Sequence, residues 1–309
     1  MADPMGWYDY PQYYDIAFQS ETGAEADFIE AACQKYASGT VRTLLEPACG
    51  TGRLVVELAR RGYRVIGLDT NLAALGYLRR RLRRRGLPSL AFAADMSRFA
   101  LARPVDAAYC TFDSFRHLLT EQSAREHLQS MAEAVRPGGI YILGFHLLPP
   151  DASEQCTERW TEQRGRTEVT VTLRVLRCNR RQRIEWIRIA LLVRKQLERK
   201  VPANTGNLLK NHRPTTETRS IQKKRFRLPK PTQWQQSTPS HLQTIQVLRF
   251  RDEFPLRIYT ARQFRRLLAT VPQWQLADVY DFWYEIDRPM KLTDQMADCV
   301  FILRRRAEE

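Results

Sequence analysis

Leu44-Leu45-Glu46-Pro47-Ala48-Cys49-Gly50-Thr51-Gly52 decides more about the fold than any other stretch of this chain. Apolar residues from Val41 to Leu45 have the pattern of a buried strand. Arg53 to Arg61 has that of a helix, with Leu54, Val55 and Leu58 apolar. Between them lies a turn of small residues with an acid at its entrance. Glycine is required where the backbone turns sharply or a ligand approaches a place a Cβ would fill. Strand, tight glycine turn and helix N-terminus are the ingredients of a nucleotide-binding crevice in a parallel α/β sheet.

Spacing removes two common nucleotide turns. A G-x-G-x-x-G fingerprint beginning at Gly50 and Gly52 would put Val55 where the third glycine belongs. A P-loop needs Gly-Lys-Ser/Thr after four intervening residues, and no such tripeptide follows. What remains is acid-x-small-x-Gly-x-Gly, filled by Glu46, Ala48, Gly50 and Gly52. Tyr63 to Asp69 is a second apolar strand ending in an acid, roughly twenty residues past the turn, the offset that suits ribose hydroxyls. The plainer reading of Asp69 is a helix N-cap. Leu90 to Met96 reads as a third strand closed by Asp95-Met96. Val105 to Cys110 is a fourth, opening into Thr111-Phe112-Asp113-Ser114-Phe115-Arg116-His117-Leu118-Leu119. Leu128 to Val135 has helical periodicity, Arg136-Pro137-Gly138-Gly139 ends it, and Ile140 to Leu143 makes a fifth strand.

These motifs, in this order, resemble the class I S-adenosylmethionine-dependent methyltransferases, with Ala48 in place of the usual first glycine. The resemblance implies an α/β fold: a Rossmann-like doubly wound seven-stranded sheet, last strand antiparallel, with an inserted antiparallel β cap. It implies S-adenosylmethionine as cofactor, contacted by Glu46, Ala48, Cys49, Gly50, Gly52, Asp69, Thr70, Asp95, Met96 and Phe112. Within that set Asp95 would accept from the adenine amino group and Met96 would pack on the ring. Cys49 reads as a small turn residue and not a nucleophile. The aromatic N-terminal segment, with Pro11-Gln12-Tyr13-Tyr14-Asp15-Ile16-Ala17-Phe18 at its centre, is similar to a segment that folds over the cofactor in related enzymes. That places Tyr13 or Tyr14 nearest the ligand; the plainer reading is a terminal segment docking its rings on the domain.

The 309 residues allow one large domain or two smaller ones, and 43% hydrophobic content suffices for a real core. No apolar run approaches the roughly 20 residues of a membrane span. The N-terminus shows no basic region followed by an apolar stretch, so no secretory signal is expected. Six scattered cysteines without C-x-x-C pairs or neighbouring histidines argue against a zinc site; no metal is expected. Reduced thiols suggest a cytoplasmic protein.

A net charge of +15 raises the question of nucleic acid. Its distribution answers it. Arg79 to Arg85 falls on a helix, where a solvated face is expected. The polar segment from about Arg199 to Gln243 has too little to bury and is expected to be a mobile insertion. Neither block interleaves aromatics as a single-strand platform does. No Asn-Pro-Pro-Tyr tetrad follows the fourth strand. A nucleic-acid partner is therefore possible but not favoured, and no membrane partner is expected.

Thr167 to Val175 and Arg183 to Ile189 alternate with period two, the mark of antiparallel strands with one wet face. Thr244 to Phe250 resumes the pattern. Tyr259 to Leu268 is a helix capped by Thr260, and Gln275 to Asp281 and Cys299 to Arg304 are the last strands. The expected organisation is a lid and first helix over 1–40, the cofactor core over 41–150, the β cap over 151–258, and 259–309 completing the core sheet.

Methyl transfer from a sulfonium is an in-line displacement whose catalysis rests on alignment and exclusion of water. An acceptor hydroxyl or ammonium must also lose a proton. His117 is the first candidate base because its intrinsic pKa lies near neutrality, a structural role being equally open. Asp113 is a possible second participant and His146 a weaker base. Trp160, Trp186, Arg257, Tyr259, Tyr280 and Trp283 are candidate pocket residues or ordinary packing. The expected activity is methylation of a small molecule at oxygen or nitrogen. RNA or protein modification and cofactor binding without turnover are the alternatives.

Overall fold

The computed structural model describes residues 6–197 and 244–307. The segment expected to be a mobile insertion, Arg199 to Gln243, thus lies outside the described residues. The central sheet has seven strands in the order β10-β11-β5-β4-β1-β2-β3. Its members are β1 (Thr43–Pro47), β2 (Arg64–Asp69), β3 (Ala91–Ala93), β4 (Val105–Cys110), β5 (Val135–His146), β10 (Trp274–Tyr280) and β11 (Asp298–Arg305). Pairings among β1 to β5 are parallel, whereas β11 runs antiparallel to both β5 and β10. The expected Rossmann-like α/β sheet with an antiparallel last strand is therefore present.

Both faces of this sheet are covered, which is why its strands read as continuous apolar runs. In β5, Ile140 and Ile142 face a core built on α2 (Thr22–Tyr36), α3 (Arg53–Arg60) and α4 (Leu72–Arg84). Tyr141 and Leu143 face the opposite core with α5 (Glu121–Ala134) and α6 (Ala261–Ala269). Leu75, Leu78 and Leu82 place one side of α4 in the first core. The arginines of that helix are not all free: Arg79 donates to the Ala91 carbonyl (2.8 Å) and Arg81 pairs with buried Asp15 (2.6 Å). The expected solvated face thus also ties helix to strand and N-terminal segment. One boundary differs as well: Val135 to Gly139 are already strand, with no break after α5. Gly139 lies against the Asp106 carbonyl, where a Cβ would collide, so the glycine serves strand packing.

The second sheet is antiparallel, β6 (Thr157–Arg164), β7 (Thr167–Asn179), β8 (Ile184–Leu197) and β9 (Thr244–Arg257), in chain order. The strand β6 has no counterpart in the sequence reading, and β7, β8 and β9 run longer than their alternating cores. Register pairs Leu197 with Thr244 and continues to Ile184 with Arg257. One face buries Val169, Val171, Ile187, Ile189 and Leu191 against a 3-10 turn at Trp7–Asp9 and α1 (Pro11–Ala17). Asp15 secures that contact through Arg164 of β6 (2.6 Å) as well as Arg81. The N-terminal segment is thereby wedged between the two sheets.

Candidate functional site

The carboxyl edge of the central sheet, the N-terminal segment and the inner face of the second sheet enclose a cavity of about 830 Å³. One end is the glycine turn. Ala48, Gly50 and Gly52 all adopt the left-handed region (φ 53°, 51° and 66°). Ala48 thus carries a conformation that costs a residue with a Cβ roughly 1–2 kcal/mol. A Cβ at Gly50 would have nothing nearer than Asp69 Oδ2, 4.0 Å away, so this position opens onto the cavity. A Cβ at Gly52 would overlap the Leu78 side chain of α4. The first glycine leaves room for a ligand, and the second lets two helices meet.

Asp69, at the end of β2, accepts from the Gly50 amide through Oδ2 and from the Asn71 amide through Oδ1, both at 2.7 Å. Burial raises its pKa, and these backbone donors oppose that rise. Thr70 and Asn71 continue the wall, and Asn71 Nδ2 donates to the Tyr8 carbonyl (3.3 Å) and Asp9 (3.2 Å). Asp95 is exposed to the cavity and accepts from the Ser97 amide (2.7 Å). The neighbouring Met96 carbonyl accepts from His127 Nδ1 (2.8 Å), while His127 Nε2 accepts from Tyr141 Oη (2.9 Å). Burial lowers the His127 pKa to about 4, so this ring is a neutral strut under the Asp95 turn.

At the other end, β4 leads into Asp113, which holds a positive φ of 51°. Asp113 accepts from the His146 amide (2.9 Å) and pairs with Arg116 Nη1 (3.3 Å). Arg116 is buried, donates through Nε to the Arg257 carbonyl (3.0 Å) and pairs with Glu185 of β8. His146 Nδ1 lies 2.7 Å from Asp298 Oδ1, and its Nε2 lies 3.5 Å from Asp113 Oδ2. Burial works against the charged imidazole, but the Asp113 charge and the Asp298 hydrogen bond outweigh it and raise the His146 pKa. His117 has the opposite bias: desolvation lowers its pKa, with Asp113 opposing. Its Nε2 lies 3.1 Å from Tyr8 Oη, and its ring stacks on Phe254.

Among the residues singled out from sequence, Tyr14, Ala48, Gly50, Asp69, Thr70, Asp95, Met96 and Phe112 line the cavity, with Asp113, His117, His146 and Trp160. The others lie elsewhere for identifiable reasons. Tyr13, one helical position from Tyr14, turns onto Phe250 and Lys195 of the second sheet. Glu46 sits behind the turn, hydrogen-bonded by Tyr109 Oη (3.2 Å), and burial pushes its carboxyl up to about 8. The Cys49 thiol is buried against Gly67, and Gly52 against Leu78. Arg257 is drawn to the Leu119 carbonyl (2.6 Å) and Glu121 (2.7 Å). Tyr259 packs among Phe115, Phe145 and Phe264. Tyr280 is buried and accepts from Lys35 (3.0 Å), whereas Trp283 is 81% exposed on the surface. Trp186 takes the face of β8 opposite Ile187 and meets Arg177.

Trp7, Tyr8 and Phe18 of the aromatic N-terminal segment also line the cavity, as do Thr51, Arg116, Glu185 and Phe254, to which sequence reading gave no role. Glu185, Ile187 and Ile189 share one face of β8 by strand alternation, the available signal for that wall.

Among the described residues no group of His, Cys, Asp and Glu could hold a metal ion, and no helix is long and apolar enough to cross a membrane.

Residues 44–139 match the family described as "Methyltransferase domain". The chain is 28% identical over 162 residues to the dTDP-3-amino-3,6-dideoxy-alpha-D-glucopyranose N,N-dimethyltransferase of Streptomyces fradiae, covering 52% of this chain and 62% of that one. It spans between 42% and 62% of the length of the curated relatives it matches. The fold is similar to an S-adenosylmethionine-dependent methyltransferase from Clostridium acetobutylicum ATCC 824 (TM-score 0.66, 15% identity, 96% and 98% of the two chains). It is also similar to the sugar N-methyltransferase KedS8 from Streptoalloteichus sp ATCC 53650 (TM-score 0.65, 17% identity, 99% and 96%). Residues 44–139 thus match a methyltransferase domain, and the fold around them is similar to that of S-adenosylmethionine-dependent methyltransferases.

Proposed function

We propose that the protein is an S-adenosylmethionine-dependent methyltransferase acting on a small molecule at oxygen or nitrogen. The observation that carries this reading is the single cavity joining the Gly50, Asp69 and Asp95 end to the Asp113 and His146 end. The residues present fit the cofactor. Gly50 leaves open the space a side chain would occupy, and Thr51 Oγ1 beside it is buried without a hydrogen-bond partner among the described residues. Asp69 and Asp95 offer acceptors for ribose hydroxyls and an adenine amino group, with Met96 and Tyr14 as apolar walls. When bound, S-adenosylmethionine supplies a methyl group on a positively charged sulfur. The chain supplies alignment and dryness: Trp7, Tyr8, Tyr14 and Phe18 close one side and the second sheet another. His146, whose charged form two carboxylates stabilise, is better suited than His117 to hold an acceptor proton, since desolvation disfavours a charged His117.

The relatives' sugar substrates support a small-molecule acceptor. The Arg79 and Arg81 contacts within the fold weaken the nucleic-acid alternative. Free thiols at all six cysteines fit a reducing, cytoplasmic setting. Calorimetry with S-adenosylmethionine tests the reading: saturable binding that weakens in Asp69→Ala is expected, and no saturable heat overturns it.

A further inference from the structure

The acceptor end of the cavity is charged opposite to the chain as a whole. The protein carries a formal charge of +15. Yet beyond Phe112 the wall presents Asp113, Glu154, Glu158, Glu185 and Asp298, with Arg116 as the one guanidinium among the described lining residues. Arg116 is committed to Asp113, Glu185 and the Arg257 carbonyl. Glu154 meets Arg180, which is not on the wall. Glu158 has no ion pair among the described residues. His146, whose pKa is raised, offsets one further carboxylate, and the second sheet adds an apolar face of Trp160, Leu173, Val175, Ile187 and Ile189. An apolar chamber with a surplus of carboxylates selects for charge as well as shape.

Resting on the methyl-transfer reading above, we propose that the acceptor is an amine that enters as an ammonium ion on an apolar body and carries no diphosphate or comparable anion. An alkyl ammonium with a pKa near that of lysine, about 10.4, is cationic at neutral pH and is attracted by these acids. One proton must leave before nitrogen can react, and the cluster of Asp113, His146 and Asp298 is placed to accept it. The nitrogen lone pair forms the new carbon–nitrogen bond as the carbon–sulfur bond breaks. Positive charge passes from sulfur to nitrogen, and the thioether departs neutral. Carboxylates at the nitrogen end stabilise that moving charge. For a hydroxyl acceptor the same groups would oppose the negative charge that develops on oxygen. A nucleoside diphosphate would bring its charges against Glu154, Glu158 and Asp298.

Trp7 and Trp160 line the cavity, so tryptophan fluorescence of the full chain can read acceptor binding without turnover. The probes are phenethylamine against phenethyl alcohol, and a free amino sugar against its thymidine-diphosphate-linked form, all at constant ionic strength. The amine is expected to bind about tenfold more tightly than the alcohol, a preference reduced several-fold in Glu158→Gln while S-adenosylmethionine affinity is unchanged. Label from radioactive S-adenosylmethionine is expected in the amine and not the alcohol. With cofactor binding intact, equal affinities, no amine binding, or preference for the diphosphate-linked sugar overturns the proposal. Loss of cofactor binding in the unmodified chain would instead defeat the methyl-transfer reading.

Discussion

The Gly50 amide donates to Asp69 Oδ2 at 2.7 Å, so the acid at the end of β2 holds the glycine turn at the end of β1. Asp69 therefore has two tasks, shaping the turn and offering a charge to a bound ribose. Asp69→Ala is expected to weaken S-adenosylmethionine binding by roughly 1–3 kcal/mol, the usual worth of hydrogen bonds to a charged group. Asp69→Asn keeps an acceptor for the Gly50 amide and is expected to lose less. Calorimetry on both variants checks the order; equal affinity for all three proteins removes Asp69 from the binding site.

Gly52 tests a different property of the same turn. Its φ of 66° and the overlap a Cβ would make with Leu78 predict that Gly52→Ala destabilises the fold by roughly 1–3 kcal/mol. Leu78→Ala removes the obstacle at the cost of a cavity. In the double variant the two losses are expected to be less than additive, because the shortened residue 78 leaves room for the new methyl. Urea unfolding of the two single variants and the double variant measures the coupling, and strict additivity would show that the collision does not govern the site.

The central sheet was legible because its determinants are local. Glu46 and Asp69 fall in the last residues of β1 and β2, Gly50 and Gly52 in the turn after β1, and Asp95 just past β3, each within a few residues of an apolar run. What was not legible depends on which side a residue faces. Tyr13 and Tyr14 are indistinguishable by type, yet one helical step sends the first to Phe250 and the second to the cavity. The edge strand β6 escaped notice because Thr157 to Arg164 is mostly polar and exposed on both faces, so period two is blurred. Arg116 and Glu185 meet across 69 residues of chain, a relation no local pattern carries. Arg136 to Gly139 read as a break because Pro-Gly-Gly usually ends a helix, whereas here the close approach to the Asp106 carbonyl makes Gly139 a strand requirement.

His146 is expected to titrate above the ordinary histidine range. Asp298→Asn removes the carboxylate 2.7 Å from Nδ1 and is expected to bring the pKa down. The charged ring contributes stability that is fully present below the unfolded-state pKa and is lost as pH rises through the higher folded value. If His146 takes the acceptor proton, methyl transfer rises with pH across that same folded pKa, and the rising limb moves to lower pH in Asp298→Asn. Nuclear magnetic resonance of the imidazole reads the titration without any acceptor. An unchanged pKa in the variant would mean that Asp298 does not set the charge of the ring.

Glu46 carries the reverse linkage. Burial, opposed by Arg53 and the Tyr109 hydrogen bond, pushes its carboxyl up to about 8. Between the ordinary carboxylate range and that value the folded protein binds a proton that the unfolded chain releases. Stability contributed by this site therefore falls as pH rises through the window. Glu46→Gln keeps the shape and a hydrogen-bonding side chain but cannot ionise. Its melting temperature is expected to exceed that of the unmodified protein near pH 8, with the gap narrowing toward about pH 5. Thermal unfolding across that range checks the sign, and a gap that widens on acidification would show that Glu46 is held ionised behind the turn.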